Sequence, residues 1–205
     1  MPRATHKTNV SPKRQRNAAA TRQAILQSAR QAFAKAGYAG AGVREIARGA
    51  GVTAMLVNRY FGSKERLFAE AVAESMATTS ELAPQIASAG ISGKAIATAL
   101  VGITKADAAP LEGFQIMLRS ASSDSAAKIG REQIERHHQK TIAAALTGPL
   151  AEQRAAVMLS LIAGFQVMRQ MLELRALAKA DSRALVKVLA PLFDQLLKGN
   201  SGSGI

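Results

Sequence analysis

Residues 43–61 place small and apolar residues at the spacing of two short helices that meet at a sharp turn. Ala47 is small enough to let the helices touch, and Gly51 can adopt the positive φ that such a turn favours. Thr53 stands where the second helix needs an N-cap, so its hydroxyl and the nearby N–H groups can face a phosphate. With the inward positions assigned, the side chains left to face outward and contact base edges are Thr53, Ala54, Met55, Asn58 and Arg59.

The basic residues are concentrated around this segment. The chain has 27 Lys and Arg against 14 Asp and Glu; residues 1–68 carry thirteen basic and two acidic side chains, and residues 69–205 carry fourteen and twelve. This asymmetry indicates a polyanionic partner, either nucleic acid or an anionic membrane surface, with a merely solubilising charge as the alternative. No apolar membrane-binding face accompanies it. Further candidate phosphate contacts are Lys13, Arg14, Arg16 and Arg44.

Helices are predicted to position these residues throughout the chain. Residues 1–17 hold two prolines and almost nothing apolar, which predicts a mobile basic arm. A helix over about 18–36 ends at Gly37, and Ser63 caps a connecting helix within 63–79. Later helices are predicted at 92–105, 111–121, 123–146, 151–177 and 182–197. The predicted units are therefore 18–62, a connecting helix, a domain over 80–198 and a flexible tail over 199–205.

Four segments together resemble the TetR family of bacterial transcriptional regulators over about residues 18–75: AFAKAGY at 32–38, VREIA at 43–47, AGVT at 50–53 and YFGSKERLF at 60–68. The resemblance implies an all-α fold, in which an N-terminal three-helix helix-turn-helix DNA-binding domain precedes a helical ligand-binding and dimerisation domain. It also implies a ligand-responsive regulator, a repressor that a small molecule releases from a near-palindromic operator on double-stranded DNA.

The same resemblance implies individual roles. Thr53, Tyr60 and Lys64 should contact phosphates, and the helix that carries Met55, Asn58 and Arg59 should enter the major groove. The sequence departs from the family pattern at two helices. Gly42 stands where the family usually has a capping Thr, and Leu56 and Asn58 replace the usual Thr and Tyr of the recognition helix.

The predicted helix 151–177 is apolar on two faces. A helix that is apolar on both sides must be buried on both sides, so one face is expected to meet a second subunit, together with the last helix. A central core helix in a monomer is the alternative. The predicted homodimer interface comprises Leu161, Met168, Leu185, Val188, Leu189, Leu192, Phe193 and Leu196.

Two polar side chains, His138 and Arg169, fall on apolar rows of their helices. Such groups can orient a guest in a ligand pocket, but each could equally be a satisfied core residue, with Arg169 paired to Glu173 one turn along. With the apolar walls expected around them, the predicted ligand-binding residues are Phe114, Met117, Leu118, His138, Phe165 and Arg169.

Catalytic and metal chemistry are weakly represented. There is no Cys, which removes thiolate sites, and Glu135 with His138 forms one Glu-x-x-His pair where a di-metal site needs two. No phosphate-binding loop or nucleophile elbow occurs, so we expect no cofactor and no enzyme. Two functions compete with that of a regulator: a sequence-independent DNA-compacting protein and, more weakly, a helical enzyme. No segment reaches the roughly 18 to 20 apolar residues of a membrane span and no export signal begins the chain, which predicts a cytoplasmic protein.

Overall fold

The computed structural model of the chain describes residues 12–79, 92–105 and 112–199, with the backbone alone for 12–16 and 77–79. Within these ranges the chain forms helices and turns and no β-strand, which confirms the predicted all-α class. The first helices are α1 (Pro12–Gly40), α2 (Val43–Gly49), α3 (Ala54–Phe61) and α4 (Lys64–Thr79). The later helices are α5 (Gly93–Ile103), α6 (Glu112–Ser120), α7 (Asp124–Ile134), α8 (Lys140–Ala145), α9 (Ala151–Gln166), α10 (Arg175–Ala178) and α11 (Ser182–Lys198).

Two segments of the C-terminal part are π-helical. Glu135–Gln139 joins α7 to α8, and Val167–Met171 follows α9. None of the helices within the described ranges is long and apolar enough to cross a membrane.

Helix α1 begins at Pro12, before the predicted start near residue 18. Residues 12–17, which were predicted as part of a mobile arm, have helical backbone here. Proline is favoured at the first helical position, and the Lys, Arg and Gln residues that follow it are good helix formers, so the helix extends into the basic segment. Residues 1–11 of the predicted arm and residues 200–205 of the predicted tail lie outside the described residues.

The predicted caps and turns of the N-terminal helices are confirmed. Gly37 has φ 67° and interrupts α1 where its end was predicted, after which one further turn reaches Gly40. Gly51 has φ 67° at the α2–α3 turn. The Thr53 hydroxyl accepts a hydrogen bond from the Leu56 N–H at 3.4 Å, and the Ser63 hydroxyl accepts one from the Arg66 N–H at 3.2 Å. These side chains start α3 and α4.

The predicted helix 151–177 is interrupted. The chain leaves the helix after Met171 and turns at Glu173, whose φ is 49°, before the short helix α10. The N–H of Leu174 donates to the Met168 carbonyl at 2.8 Å, which closes the end of the π-helical segment. The apolar pattern continues through this break, so periodicity alone gave too long a helix.

Buried side chains form two cores that do not coincide with the predicted domains. The head core contains the inner faces of α1–α4 together with Ile116 of α6 and Ala126 of α7. Within the head core, the rings of Phe33 and Phe68 pack edge to face, with 5.0 Å between their centres. The body core joins α5, α9 and α11, with Phe193 fully buried. Helices α6 and α7 therefore pack with the N-terminal helices, although they belong to the C-terminal part of the sequence.

Candidate nucleic-acid interface and ligand site

Helix α2 is held against α1 by close contacts, and α3 packs with them in the head core. A Cβ added at Gly49 would overlap the Ser28 hydroxyl, and that hydroxyl donates to the Ile46 carbonyl at 2.9 Å. Ala47 and Val57 are buried in the head core. The inward positions predicted for the helix-turn-helix are therefore confirmed, and the orientation of α3 is fixed on its inner side.

The outer face of α3 is exposed and largely without intramolecular partners. Met55 is 78% exposed, and the side chains of Asn58 and Arg59 are exposed with no hydrogen bond or ion pair to any residue that the structure describes. Ala54 and Tyr60, which were also predicted to contact DNA, are half-buried against the head core. The face can therefore offer an amide, a guanidinium and an apolar side chain to a partner.

Cationic residues lie on the helices before and after α3. Lys64 begins α4, and its ammonium lies 4.6 Å from the centre of the Tyr38 ring, whose hydroxyl donates to Glu65 at 2.8 Å. That hydrogen bond lowers the pKa of Glu65, and burial raises the pKa of Tyr38. Arg44 is exposed on α2. The backbone of Lys13, Arg14 and Arg16 lies in the first turns of α1, but their side chains are outside the described part.

Ion pairs fix α1 to its neighbours. Arg30 donates to Glu112 of α6 at 2.7 Å and to Glu74 of α4 at 3.4 Å, and Arg22 pairs with Glu70. Burial alone would lower the pKa of Arg30, but the hydrogen bond and charge of Glu112 raise it. The guanidinium therefore stays charged and joins three helices.

A clasp between the C-terminal ends of α1 and α6 was missed by the sequence analysis. Arg119 donates to the carbonyls of Ala34 and Lys35, the latter at 3.2 Å, and the Tyr38 N–H donates to the Ser120 hydroxyl at 2.9 Å. These partners are more than eighty residues apart. No local pattern signals such a contact, although arginine does complement a helix C-terminus.

The six predicted ligand-binding residues do not form one group. Met117 packs on the head core, where its methyl group fills the space beside Gly130, while Phe165 and Arg169 belong to the body side. Leu118, which was predicted as an apolar wall, is exposed in the single chain. Phe114 and His138 are half-buried. Burial and the neighbouring His137 lower the pKa of His138.

Arg169 is buried as predicted, but its partners differ from those expected. It is 6% exposed and donates to the Val101 carbonyl at 2.8 Å and to the Thr104 hydroxyl at 2.9 Å. Glu173 does not pair with it, because the chain turns away after the π-helical segment. Burial lowers the pKa of Arg169.

A groove of about 720 Å³ lies between α5 and α11, and none of the six predicted ligand residues lines it. Lys94 and Lys105 contribute from α5 and the residues after it, and Arg183 and Lys187 contribute from α11. The i, i+4 spacing of Arg183 and Lys187 could have indicated this basic stripe.

The predicted dimer interface splits into two sets. Leu185, Leu189 and Phe193 are buried in the body core, where they pack against α5 of the same chain. Val188 is 67% exposed and Leu192 43% exposed on the opposite side of α11. Met168 is also exposed, as are Val157 and Leu172, while Leu161 and Leu196 are half-buried.

The fold and the exposed face of α3 define a helix-turn-helix DNA-binding regulator with an all-helical body. Residues 25–71 match the family model described as bacterial regulatory proteins, tetR family, and residues 92–197 match the tetracyclin repressor-like C-terminal domain. The chain belongs to the TetR family, and it is a transcriptional regulator. Proteins of this family are generally not enzymes, and ligand-responsive repression is their general role.

Solved structures share this fold. A TetR-family regulator from Streptomyces coelicolor is 24% identical with a TM-score of 0.51, and the match covers 87% of this chain and 95% of that one. The fatty acid degradation regulator FadR from Bacillus halodurans is 19% identical with a TM-score of 0.61, over 95% and 99% of the two chains. A transcriptional regulator from Rhodococcus sp. Rha1 is 22% identical with a TM-score of 0.61, over 85% and 96%. No curated protein matches the chain.

Proposed function

We propose that the chain acts as a homodimeric repressor whose two heads dock in successive major grooves of a near-palindromic operator. In this proposal a small molecule bound in the C-terminal part releases the DNA. The observation that carries the proposal is the outer face of α3, where Met55 is 78% exposed and the side chains of Asn58 and Arg59 have no hydrogen bond or ion pair to the described residues. An exposed apolar side chain beside two polar ones suits the mixed donor, acceptor and methyl pattern of the major groove.

The contacts divide by chemistry. Asn58 and Arg59 read base edges, Met55 contacts a thymine methyl group, and Thr53 and Lys64 bind phosphates. Tyr60, Arg44 and the basic residues at the start of α1 add backbone contacts, and Ala54 lies at the entry of α3. The functional units are the basic segment 1–17, the head 18–62, the connecting helix 63–79, the ligand-binding and dimerisation part 80–198, and the tail 199–205.

Selection from a pool of random double-stranded DNA tests the function. A regulator should enrich one near-palindromic sequence and bind it ~10³-fold or more tightly than scrambled DNA of the same length. Half-sites should lie about one helical turn apart, as the two heads of a dimer require. Equal affinity for all sequences would instead indicate the DNA-compacting protein.

Replacement of Lys64 with Ala should lower the affinity for the selected operator and for random DNA by the same factor. A phosphate contact carries no sequence information, so the slope of log K against log salt should fall in magnitude by about one unit. Lys198→Ala is the matched control, because that lysine ends α11 away from the head core. An unchanged slope for Lys64→Ala would remove this residue from the phosphate contacts.

Replacement of Arg59 with Ala should act selectively. A side chain that reads a base edge contributes about 1 to 3 kcal/mol of discrimination, so operator affinity should fall while affinity for random DNA stays nearly constant. Competition titrations on the selected operator and on operators with single changed base pairs measure the difference. If the variant bound all sequences more weakly by the same factor, Arg59 would contact the DNA phosphate backbone, as proposed for Lys64.

A further inference from the structure

The body contains a buried cation without an acidic partner. Arg169 lies in the π-helical segment Val167–Met171, and both groups that accept its hydrogen bonds, the Val101 carbonyl and the Thr104 hydroxyl, are neutral. No carboxylate among the described residues pairs with it. A buried charge is costly unless it is paired, so the site favours an anion.

A second buried donor lies beside it. Gln166 is 3% exposed and ends α9 three positions before Arg169, so both side chains are buried at the junction of α9 with the π-helical segment. Within the described part of the chain, neither the Nε2 of Gln166 nor the Nε of Arg169 has a hydrogen-bond acceptor. Gln166 and Arg169 therefore offer two N–H donors without an acceptor, together with the positive charge of the guanidinium.

The surroundings of these donors are apolar. The Arg169 guanidinium carbon is 5.7 Å from the centre of the Phe165 ring, and Phe165 packs in the body core with Leu100 and Val101 of α5. A ligand that satisfies the donors must also fit among aliphatic and aromatic side chains. An inorganic anion would accept the hydrogen bonds but would have no apolar part to pack against these side chains.

We propose that the effector of this regulator is an amphipathic carboxylate, whose carboxylate accepts hydrogen bonds from Arg169 and Gln166 and whose apolar body packs between α5 and α9. The inference rests on the proposed function and adds the chemical class of the ligand. Both donor nitrogens are buried, so entry requires α9 and its π-helical segment to separate from α5. This requirement makes the ligand-bound arrangement different from the ligand-free one, which is the condition for a ligand to shift DNA binding.

The basic groove between α5 and α11 is the competing site for an anion. Its four cations are Lys94, Lys105, Arg183 and Lys187. Arg183 and Lys187 lie on the rim of an open groove and remain hydrated when no anion is bound, so they create no need for one. Arg169 is the group whose charge is removed from water. Substitutions at Arg169 and at Arg183 therefore separate the two sites.

Calorimetric titration and thermal unfolding of the full chain test the class of ligand without any substitution. The probes are benzoate and octanoate, each compared with its neutral amide, and inorganic phosphate as an anion without an apolar body. We expect at least one carboxylate to bind and to raise the Tm, with its amide and phosphate binding at least about tenfold more weakly. If neither carboxylate bound more tightly than its amide, the proposal would be wrong.

Substitutions then locate the site. Arg169→Gln should weaken carboxylate binding at least about tenfold, Gln166→Leu should weaken it less, and Arg169→Lys should keep part of it. Arg183→Gln removes one cation of the basic groove, which also lies in the C-terminal part of the chain. This variant should leave carboxylate binding unchanged. Loss of binding in Arg183→Gln with retention in Arg169→Gln would move the ligand to the basic groove and overturn the assignment.

Two measurements guard against simpler explanations. Circular dichroism and thermal unfolding without any probe show whether each variant folds. If Arg169→Gln does not fold, Gln166→Leu gives a second test of the site. Operator binding of the wild-type chain without probe tests the regulator itself. Operator binding with no carboxylate preference would refute only the ligand class, while loss of operator selectivity would refute the proposed function.

Discussion

The double variant Val188→Glu with Leu192→Glu is expected to be a folded monomer that has lost at least about 100-fold in operator affinity. Both side chains are exposed in the protomer, so the substitutions cost little in its own fold. In the proposed dimer they would be desolvated, and a two-fold axis would bring the new carboxylates of the two chains close together. One head alone makes half of the contacts, so the loss in affinity is large.

Sedimentation and operator titration measure the two effects separately. Arg183→Glu is the matched control, since it introduces the same negative charge on the groove side of α11 and should leave the dimer intact. Leu189→Glu should behave differently from both, because Leu189 is buried in the body core and a carboxylate there should unfold it. An intact dimer for the double variant would exclude this face of α11 as the interface.

The last helix also marks where a sequence pattern stops being informative. Its apolar stripe is wide enough to cover both its own core and a second surface, and the pattern cannot say which part faces which. Leu185, Leu189 and Phe193 were placed in the dimer for this reason, although α5 covers them. The residues that remain available, such as Val188 and Leu192, are distinguished only by the position of α5.

Local features, in contrast, were predictable because the causes are local. The hydroxyls of Thr53 and Ser63 each accept a hydrogen bond from the N–H three residues later and so cap the helix that follows. The turn at Gly51 depends on the positive φ of that residue. The helix-turn-helix and its outer face could therefore be predicted from residues 43–61 alone. The buried donor pair of Gln166 and Arg169 could be predicted only in part: the pattern gave an inward Arg169, but its neutral partners lie on α5 and just after it.

The contact between α1 and α6 is non-local in the same way, and it gives the second large prediction. Replacement of Gly37 with Ala should lower the free energy of unfolding by at least about 2 kcal/mol. Gly37 has φ 67° and ψ 178°, a region that is essentially restricted to glycine and costs a residue with a side chain about 1 to 3 kcal/mol. A Cβ at this position would also overlap the carbonyl of Arg119, which is backbone of α6 and cannot rotate away.

Two other glycines separate these causes. Gly51→Ala also has a positive φ, of 67°, but no atom lies near the added methyl group, so it should show a conformational cost without any overlap. Gly42→Ala has an ordinary φ of −90° and open space around it, so it should show neither of these two costs. Urea unfolding of the three variants gives the comparison. A Gly37→Ala cost equal to that of Gly51→Ala would mean that α6 yields freely to the methyl group.

In the proposed function, the position of α6 would also affect regulation. Glu112 at its start accepts from Arg30, and Arg119 and Ser120 at its end hold the C-terminal part of α1, so a displacement of α6 must move or tilt the head. A folded Gly37→Ala protein should therefore bind the operator more weakly while keeping its affinity for random DNA, since only the operator requires both heads at a fixed separation. Unchanged operator affinity in a destabilised but folded Gly37→Ala variant would show that the clasp stabilises the protein without setting the position of the head.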